Sequence, residues 1–323
     1  MLPRNRADYR TILWILAMPM VAWVQYRNPE LIPKMWWVSA YFAVAAGVIA
    51  HNHNHVPTFS SKRANSFFSN WISFFYGYPT FVWIPTHNLN HHKYVNKVGD
   101  ATITWRHTNK NNALVAISYF FVTSYYQSFP IGEFIKKAKK NNPKLHRQVI
   151  TQYVVFLGAH LGAITLACTM HGLKTGFYVW ACTLGAPALF SLWTLTFFNY
   201  GQHVHTDPWS AHNHSRTFDG RVLNFLLFNN GLHTAHHESA STHWSELPAA
   251  YAKIKDQIHP ELRESNFWWW VFRQYFLSAV VPSLGSKQIG RAPFDPPTGE
   301  KVRKVRAESV GEAVEAGVNA QMI

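Results

Sequence analysis

Apolar residues along this chain fall into long blocks rather than into the alternation of a half-buried strand. Four blocks, at about residues 11–26, 35–50, 149–171 and 176–198, are long enough for helices that cross a bilayer. Each is expected to be helical, because a backbone exposed to lipid must satisfy its own hydrogen bonds. The first two, near the short limit for a span, are joined by the Arg27 to Lys34 turn with Pro29 and Pro33, and the second two by the Gly172 to Thr175 turn. Both pairs therefore read as helical hairpins that return to the side they started from. Two aromatic segments, Phe67 to Ile84 and Ala113 to Ile131, are broken by Gly77, Pro79 and Pro130 and carry many polar residues, which predicts helices lying in the interface. The triplet Trp268, Trp269, Trp270 predicts a further interfacial anchor. From Ser286 to residue 323 the chain is rich in Pro, Gly, Lys and Glu, which predicts a disordered tail after a membrane domain covering residues 1–285.

Charge sets the orientation. The chain has 30 Lys+Arg against 16 Asp+Glu, a formal charge of +14, and only Arg27, Lys34 and Lys174 fall in the two hairpin turns. By the positive-inside rule both termini and the long segments between hairpins are expected on the cytoplasmic side. Charged residues make up only 14% of the chain, well below a soluble domain, which points toward lipid. Because the basic residues flank the apolar runs, the surplus is read as matching a membrane surface ahead of nucleic acid or an acidic protein partner. A mean hydropathy of −0.13 is low for a polytopic protein and predicts a substantial cytoplasmic cap. The basic start leads into the first run, yet no small-x-small cleavage site follows, so that run is expected to be retained. Two cysteines, Cys168 and Cys182, both in apolar runs, leave neither a disulfide framework nor a cysteine metal site.

Chemistry concentrates in the 19 histidines. His51 and His55 follow the second run at helical i, i+4 spacing, so both imidazoles can converge on one metal. The i, i+4 pair recurs in His87 and His91, with His92 placed to reach a second metal. Asn199 and His203 share a face after the fourth run, and His233, His236 and His237 form an i, i+3, i+4 trio. Nine imidazoles are too many for one tetrahedral zinc and suit two metals with room for oxygen or water. Glu-x-x-His, His-Glu-x-x-His, Gly-x-Gly-x-x-Gly, P-loop and Gly-x-Ser-x-Gly motifs do not occur, which removes carboxylate di-iron bundle, metalloprotease, dehydrogenase, ATPase and α/β-hydrolase readings.

The stretches HNHNH, HNLNHH and GLHTAHH, distributed around two apolar hairpins, resemble the three histidine boxes of the integral-membrane fatty acid desaturase and hydroxylase superfamily over about residues 10–260. The resemblance implies an all-α fold, with four membrane helices under a cytoplasmic cap that holds two non-haem irons. It implies His51, His55, His87, His91, His92, His203, His233, His236 and His237 as iron ligands, with Asn199 binding directly or through water. HKYVNKVGDATITWR (residues 92–106) and NYGQHVH (residues 199–205) are also similar to the related alkane and xylene hydroxylases. Three residues separate the first-box histidines, as in many members, whereas animal acyl-CoA desaturases have four. The acyl carrier, whether CoA, carrier protein or lipid, stays open on that account.

The implied reaction uses O2 and two external electrons to remove two hydrogens from an acyl chain. A hydroxylase or monooxygenase of a lipid, alkane or carotenoid-like substrate is the alternative, and a histidine-rich metal transporter or sensor a third. No electron-transfer module is visible in the sequence, so a separate donor is expected: a ferredoxin, a cytochrome b5-like protein or a flavin reductase. Asp100, Asp207, Glu238, Glu246 and His205 lie close in sequence to the boxes and are candidates for holding imidazole N–H groups. Aromatic residues around 74–83 and 190–198 suit the walls of an acyl tunnel. His53, His107, His146, His212, His214 and His259 read as ordinary residues, and His160 and His171 as hydrogen-bonding partners of a neighbouring helix.

Overall fold

The computed structural model describes residues 2–298. These divide into two compact units, one of residues up to Trp83 together with Lys137–Leu195, the other of Ile84–Lys136 together with the described residues from Thr196 onward.

The first unit is a set of packed helices. Helix α1 (Asp8–Arg27) and helix α2 (Ile32–His55) are joined by a single tight turn at Pro29–Leu31. Their interface carries polar ties: buried Gln25 Nε2 donates to Ser39 Oγ at 2.6 Å, and half-buried Trp14 Nε1 to the Tyr41 hydroxyl at 2.7 Å. Helix α3 (Lys62–Tyr76) starts at Ser61, whose hydroxyl accepts from the Ala64 amide, and stops at Gly77, which adopts φ +92°. A side chain at Gly77 is excluded twice over, since its Cβ would lie 2.5 Å from the Ala188 Cβ. Helix α3 packs against α2, with Phe68 on the His53 ring, and its Phe68 and Ile72 are buried, so it belongs to the body of this unit. A 29-residue helix, α4 (Ala113–Asn141), begins in the second unit and ends in the first.

The second hairpin is tighter than the expected Gly172 to Thr175 turn. Helix α5 (Pro143–His171) is capped by Asn142, whose side chain accepts from the Leu145 amide, and only Gly172 separates it from helix α6 (Leu173–Trp180). The two backbones touch at Gly176, where a Cβ would lie 2.4 Å from the Cys168 backbone. A widened π-helical turn at Ala181–Gly185 leads into helix α7 (Ala186–His203). Pro29–His55, Pro143–His171 and Leu173–His203 are long and apolar enough to cross a membrane. The first of the four expected spans, residues 11–26 on α1, is not among them. His160 accepts from Trp180 Nε1 at 3.2 Å, and His171 Nε2 lies 2.6 Å from the Tyr26 carbonyl, both links between helices.

In the second unit, short helices α8 (Arg221–Leu226), α9 (His233–Glu238), α10 (Leu247–Ile254) and α11 (Phe267–Phe272) surround a two-residue parallel pair, β1 (Thr217–Phe218) with β2 (Arg263–Glu264). Leu232, Ala235, Leu247, Tyr251, Ile258 and Leu262 form the apolar cluster that fixes α9 against α10.

Two expectations need correction here. The Trp triplet does not act as one anchor: Trp268 and Trp269 are exposed, whereas Trp270 is fully buried beneath the Arg216 guanidinium. Nor does a free tail begin at Ser286. The Ile289 amide donates to the His205 carbonyl, the Arg291 amide to Asp207, and Phe294 packs its ring on Trp105. Residues 299–323 lie outside the described part.

Candidate metal centre

The second histidine box lies on a π-helical stretch, Ile84–His91, and this changes which histidines meet. In a π-turn the ladder runs i to i+5, so the face partner of His87 is His92 and not His91. Their Nε2 atoms are 3.0 Å apart, and His92 Nε2 is also 3.0 Å from His236 Nε2 on α9. His91 turns instead toward α7, where its Nε2 lies 3.0 Å from His203 Nε2. His203 Nε2 is 2.8 Å from His233 Nε2, which is in turn 3.0 Å from His237 Nε2. The expected pairing of His87 with His91 is thus replaced by two groups: His87, His92 and His236; and His91, His203, His233 and His237. The ligand atoms of the second group all lie within 4.8 Å of one another. In the other unit, His51 and His55 stand at the end of α2 with their rings 4.8 Å apart.

Hydrogen bonding cannot account for these contacts. A ring nitrogen has one in-plane site, holding either a proton or a lone pair, yet His203, His233 and His92 Nε2 each face two other nitrogens. Tautomers sharpen the point. His91 Nδ1 is 2.8 Å from the Asp100 carboxylate, and His203 Nδ1 faces the His214 carbonyl at 3.2 Å, so both carry their proton on Nδ1. Two Nε2 lone pairs therefore face one another at 3.0 Å. That arrangement is repulsive on its own and is what a shared cation requires: nitrogens at about 2.05 Å from a metal, in adjacent octahedral positions, are ~2.9 Å apart. Burial and the neighbouring imidazoles hold the His237 pKa well below its ordinary value, which keeps its lone pair available. The residues fit a metal.

Asp100 is the keystone of the loop after the second box. Fully buried, it accepts from His91 Nδ1, the Asn96 amide, the Thr102 amide and the Thr102 hydroxyl, all at 2.7–2.8 Å. Burial pushes its pKa up, but the electrostatic pull and hydrogen bond of the His91 Nδ1–H, with the hydrogen bonds from Thr102, outweigh this and bring it down to about 2. The loop reaches this geometry through strained backbone: Val95 and Asn96 have φ +43° and +62°. Asn96 offsets the cost, donating to the His203 carbonyl at 2.9 Å and accepting from the Thr104 amide. Asn90 closes the loop by binding the Gly99 carbonyl and the Ala101 amide. Asn90, Asn96, Thr102 and the His214 carbonyl are positioning groups that reading the histidine spacing missed. The run of Asn and Thr beside Gly99 and Asp100 was the available signal, since such residues make loops that bond to their own backbone.

Other candidates are placed elsewhere. Asn199 donates to the Tyr119 hydroxyl at 3.1 Å, and Tyr119 donates to the Thr102 carbonyl. His205, with φ +59°, binds Ser286 and the Asn109 carbonyl through its two ring nitrogens. Asp207 accepts from the Trp209 and Arg291 amides, which makes it a turn cap. Glu238 pairs with His212 Nδ1 at 2.6 Å. Glu246 precedes α10 at its N-terminus. His53 binds Thr58, as an ordinary buried histidine would.

Comparison with known proteins adds one positive result. No curated protein and no solved structure matches the chain. The family model for fatty acid desaturase matches residues 32–272, about three quarters of the sequence, and takes in all three histidine boxes. A family signature over that length, on a helical chain with convergent buried imidazoles, is enough to conclude that this membrane protein belongs to the fatty acid desaturase family.

Proposed function

We propose that the chain is an O2-dependent acyl desaturase whose histidines hold two iron ions. His91, His203, His233 and His237 are assigned to one iron. His87, His92 and His236 are assigned to the other, with His51 and His55 joining them on the strength of the box pattern. Asn199 is assigned to the same centre by resemblance, directly or through water. The iron pair supplies activation of dioxygen, which no protein side chain offers.

The chain's own residues set the conditions. Asp100 keeps His91 in the Nδ1–H tautomer and makes its Nε2 a better donor. The His214 carbonyl does the same for His203. The net reaction balances as –CH2–CH2– + O2 + 2 electrons + 2 protons giving –CH=CH– + 2 H2O, the electrons coming from a separate donor protein. The acyl group rides on CoA, a carrier protein or a lipid. Four spans, both termini and the metal centre on the cytoplasmic side complete the reading, supported by the two helical hairpins and by the scarcity of Lys and Arg in their turns.

The observation that carries this reading is the set of Nε2 atoms of His91, His203, His233 and His237 facing one another, two of them locked as lone pairs. The test is conversion of acyl substrates by the full-length protein with a reductase and donor, followed by mass spectrometry. Loss of two hydrogens, dependent on O2 and on iron, is expected. Gain of one oxygen would move the reading to a hydroxylase on the same scaffold, and O2-independent metal exchange without turnover would move it to metal handling.

A further inference from the structure

Tyr119, which the histidine pattern gives no reason to single out, joins two parts of the second unit that carry proposed ligands. It lies on α4 and is 5% exposed. Its hydroxyl donates to the Thr102 carbonyl, and its oxygen takes the Asn199 Nδ2 at 3.1 Å together with a bond from the buried Thr123 hydroxyl. Thr102 in turn donates its amide and hydroxyl to Asp100, the carboxylate that holds His91 Nδ1. One phenol thus stands between the loop that orients His91 and Asn199, which lies one helical turn before His203 on α7.

This pattern of bonds leaves the Asn199 amide one orientation. A phenol hydroxyl has a single proton, and here it is committed to a carbonyl, which can only accept. Whatever else approaches the Tyr119 oxygen must donate. Asn199 therefore presents its NH2 group, since the opposite flip would set the lone pairs of the amide oxygen against those of the phenol. Oδ1 is left turned away from Tyr119. It takes no hydrogen bond from the described residues, and the side chain is only half-buried, so the oxygen is not sealed in. The amide oxygen carries the lone pairs that a cation, or a water held by one, can use, and the NH2 group offers none.

We propose that Tyr119 is a positioning residue for the metal centre, its hydroxyl locking the Asn199 amide so that Oδ1 and not Nδ2 is offered to the cation or to its water. The inference rests on the proposed function, in which Asn199 belongs to that centre.

The test separates this role from simple support of the Thr102 carbonyl. Tyr119→Phe keeps the ring, which packs 5.0 Å from that of Tyr200, and removes only the hydroxyl. It is made in three backgrounds of the full-length protein: wild type; Asn199→Ala, which has no amide to orient; and Asn199→Asp, whose side chain ends in oxygen whichever way it turns. Each protein in detergent is stripped, reloaded anaerobically with Fe²⁺ and titrated with a competing chelator, and helix content by circular dichroism monitors folding. Losing the hydroxyl is expected to weaken iron retention about tenfold in wild type, the low end of what loss of a ligand's hydrogen-bonding partner costs, and less than about threefold in either Asn199 background. Equal weakening in all three backgrounds would show that the hydroxyl acts only through Thr102 and would overturn the proposal, as would no weakening in wild type. Both outcomes leave the iron reading intact, whereas a wild type that takes up no iron would overturn this inference together with the proposed function.

Discussion

Asp100→Asn changes one atom and should disturb both the fold and the metal centre. The carboxylate receives four hydrogen bonds, His91 Nδ1 and the Asn96 amide on one oxygen, the Thr102 amide and hydroxyl on the other. An amide NH2 must replace one oxygen. On the first side it faces two N–H donors, so His91 is forced toward the tautomer that protonates Nε2. On the second side the Thr102 hydroxyl can rotate to accept, but the Thr102 amide is stranded. A buried unsatisfied N–H costs about 1–3 kcal/mol, and loss of the charge weakens the bonds that survive, so the total is about 2–4 kcal/mol. For a protein of this size that corresponds to a fall in Tm of about 3–6 °C. His91 also loses its carboxylate partner, a kind of change that typically costs 10–100-fold in metal affinity. The assay is metal retention against a graded chelator, with melting followed by intrinsic fluorescence, and Asp207→Asn as the comparison because Asp207 caps a turn. An Asp100→Asn protein that keeps its metal at wild-type chelator concentrations and melts within about 1 °C of wild type would refute the reasoning.

Other outcomes follow from the same contacts. Asn96 sits at φ +62°, so Asn96→Gly should be milder than Asn96→Ala by about 1 kcal/mol in chemical denaturation, both losing the bond to the His203 carbonyl. Gly176→Ala should cost about 1–3 kcal/mol, read as a lowered Tm in detergent, since its Cβ would lie 2.4 Å from the Cys168 backbone and the α5–α6 hairpin must open. His214 is held down to about pKa 4 by burial and by repulsion from His212, Lys97 and His91. Because the unfolded chain, near 6.5, binds that proton more readily, stability present above pH 6.5 should fall as pH drops from 6.5 toward 4, by up to about 3 kcal/mol. Chelator-treated His214→Gln should show a flatter pH profile over that interval, whereas an unchanged slope would place the dependence elsewhere.

The histidine boxes were legible in the sequence because ligand spacing and helical periodicity are both local. Their partition was not. It depends on the π-helical turn at Ile84–His91, which swaps His91 for His92 as the partner of His87, and nothing in the spacing of HNLNHH distinguishes a π-turn from an α-turn. Nearness along the chain also proved uneven as a guide to which acids meet imidazoles. Asp100 reaches His91 because the strained residues Val95 and Asn96 fold the loop back, while Glu238, next to His237, faces away to His212. The hairpins were legible from apolar run length. Burial of Trp270 was not, because Arg216, 54 residues earlier, supplies the reason.

The central claim, that His91, His203, His233 and His237 hold a metal of their own, is tested most directly by counting metal in full-length protein purified with ample iron. Wild type, His203→Ala, His87→Ala and His53→Ala would be compared by plasma mass spectrometry. About two irons per chain in wild type and in His53→Ala, and about one in each of the other two variants, is the predicted result. A wild type with one zinc and no iron, or equal loss in His53→Ala and His203→Ala, would contradict it.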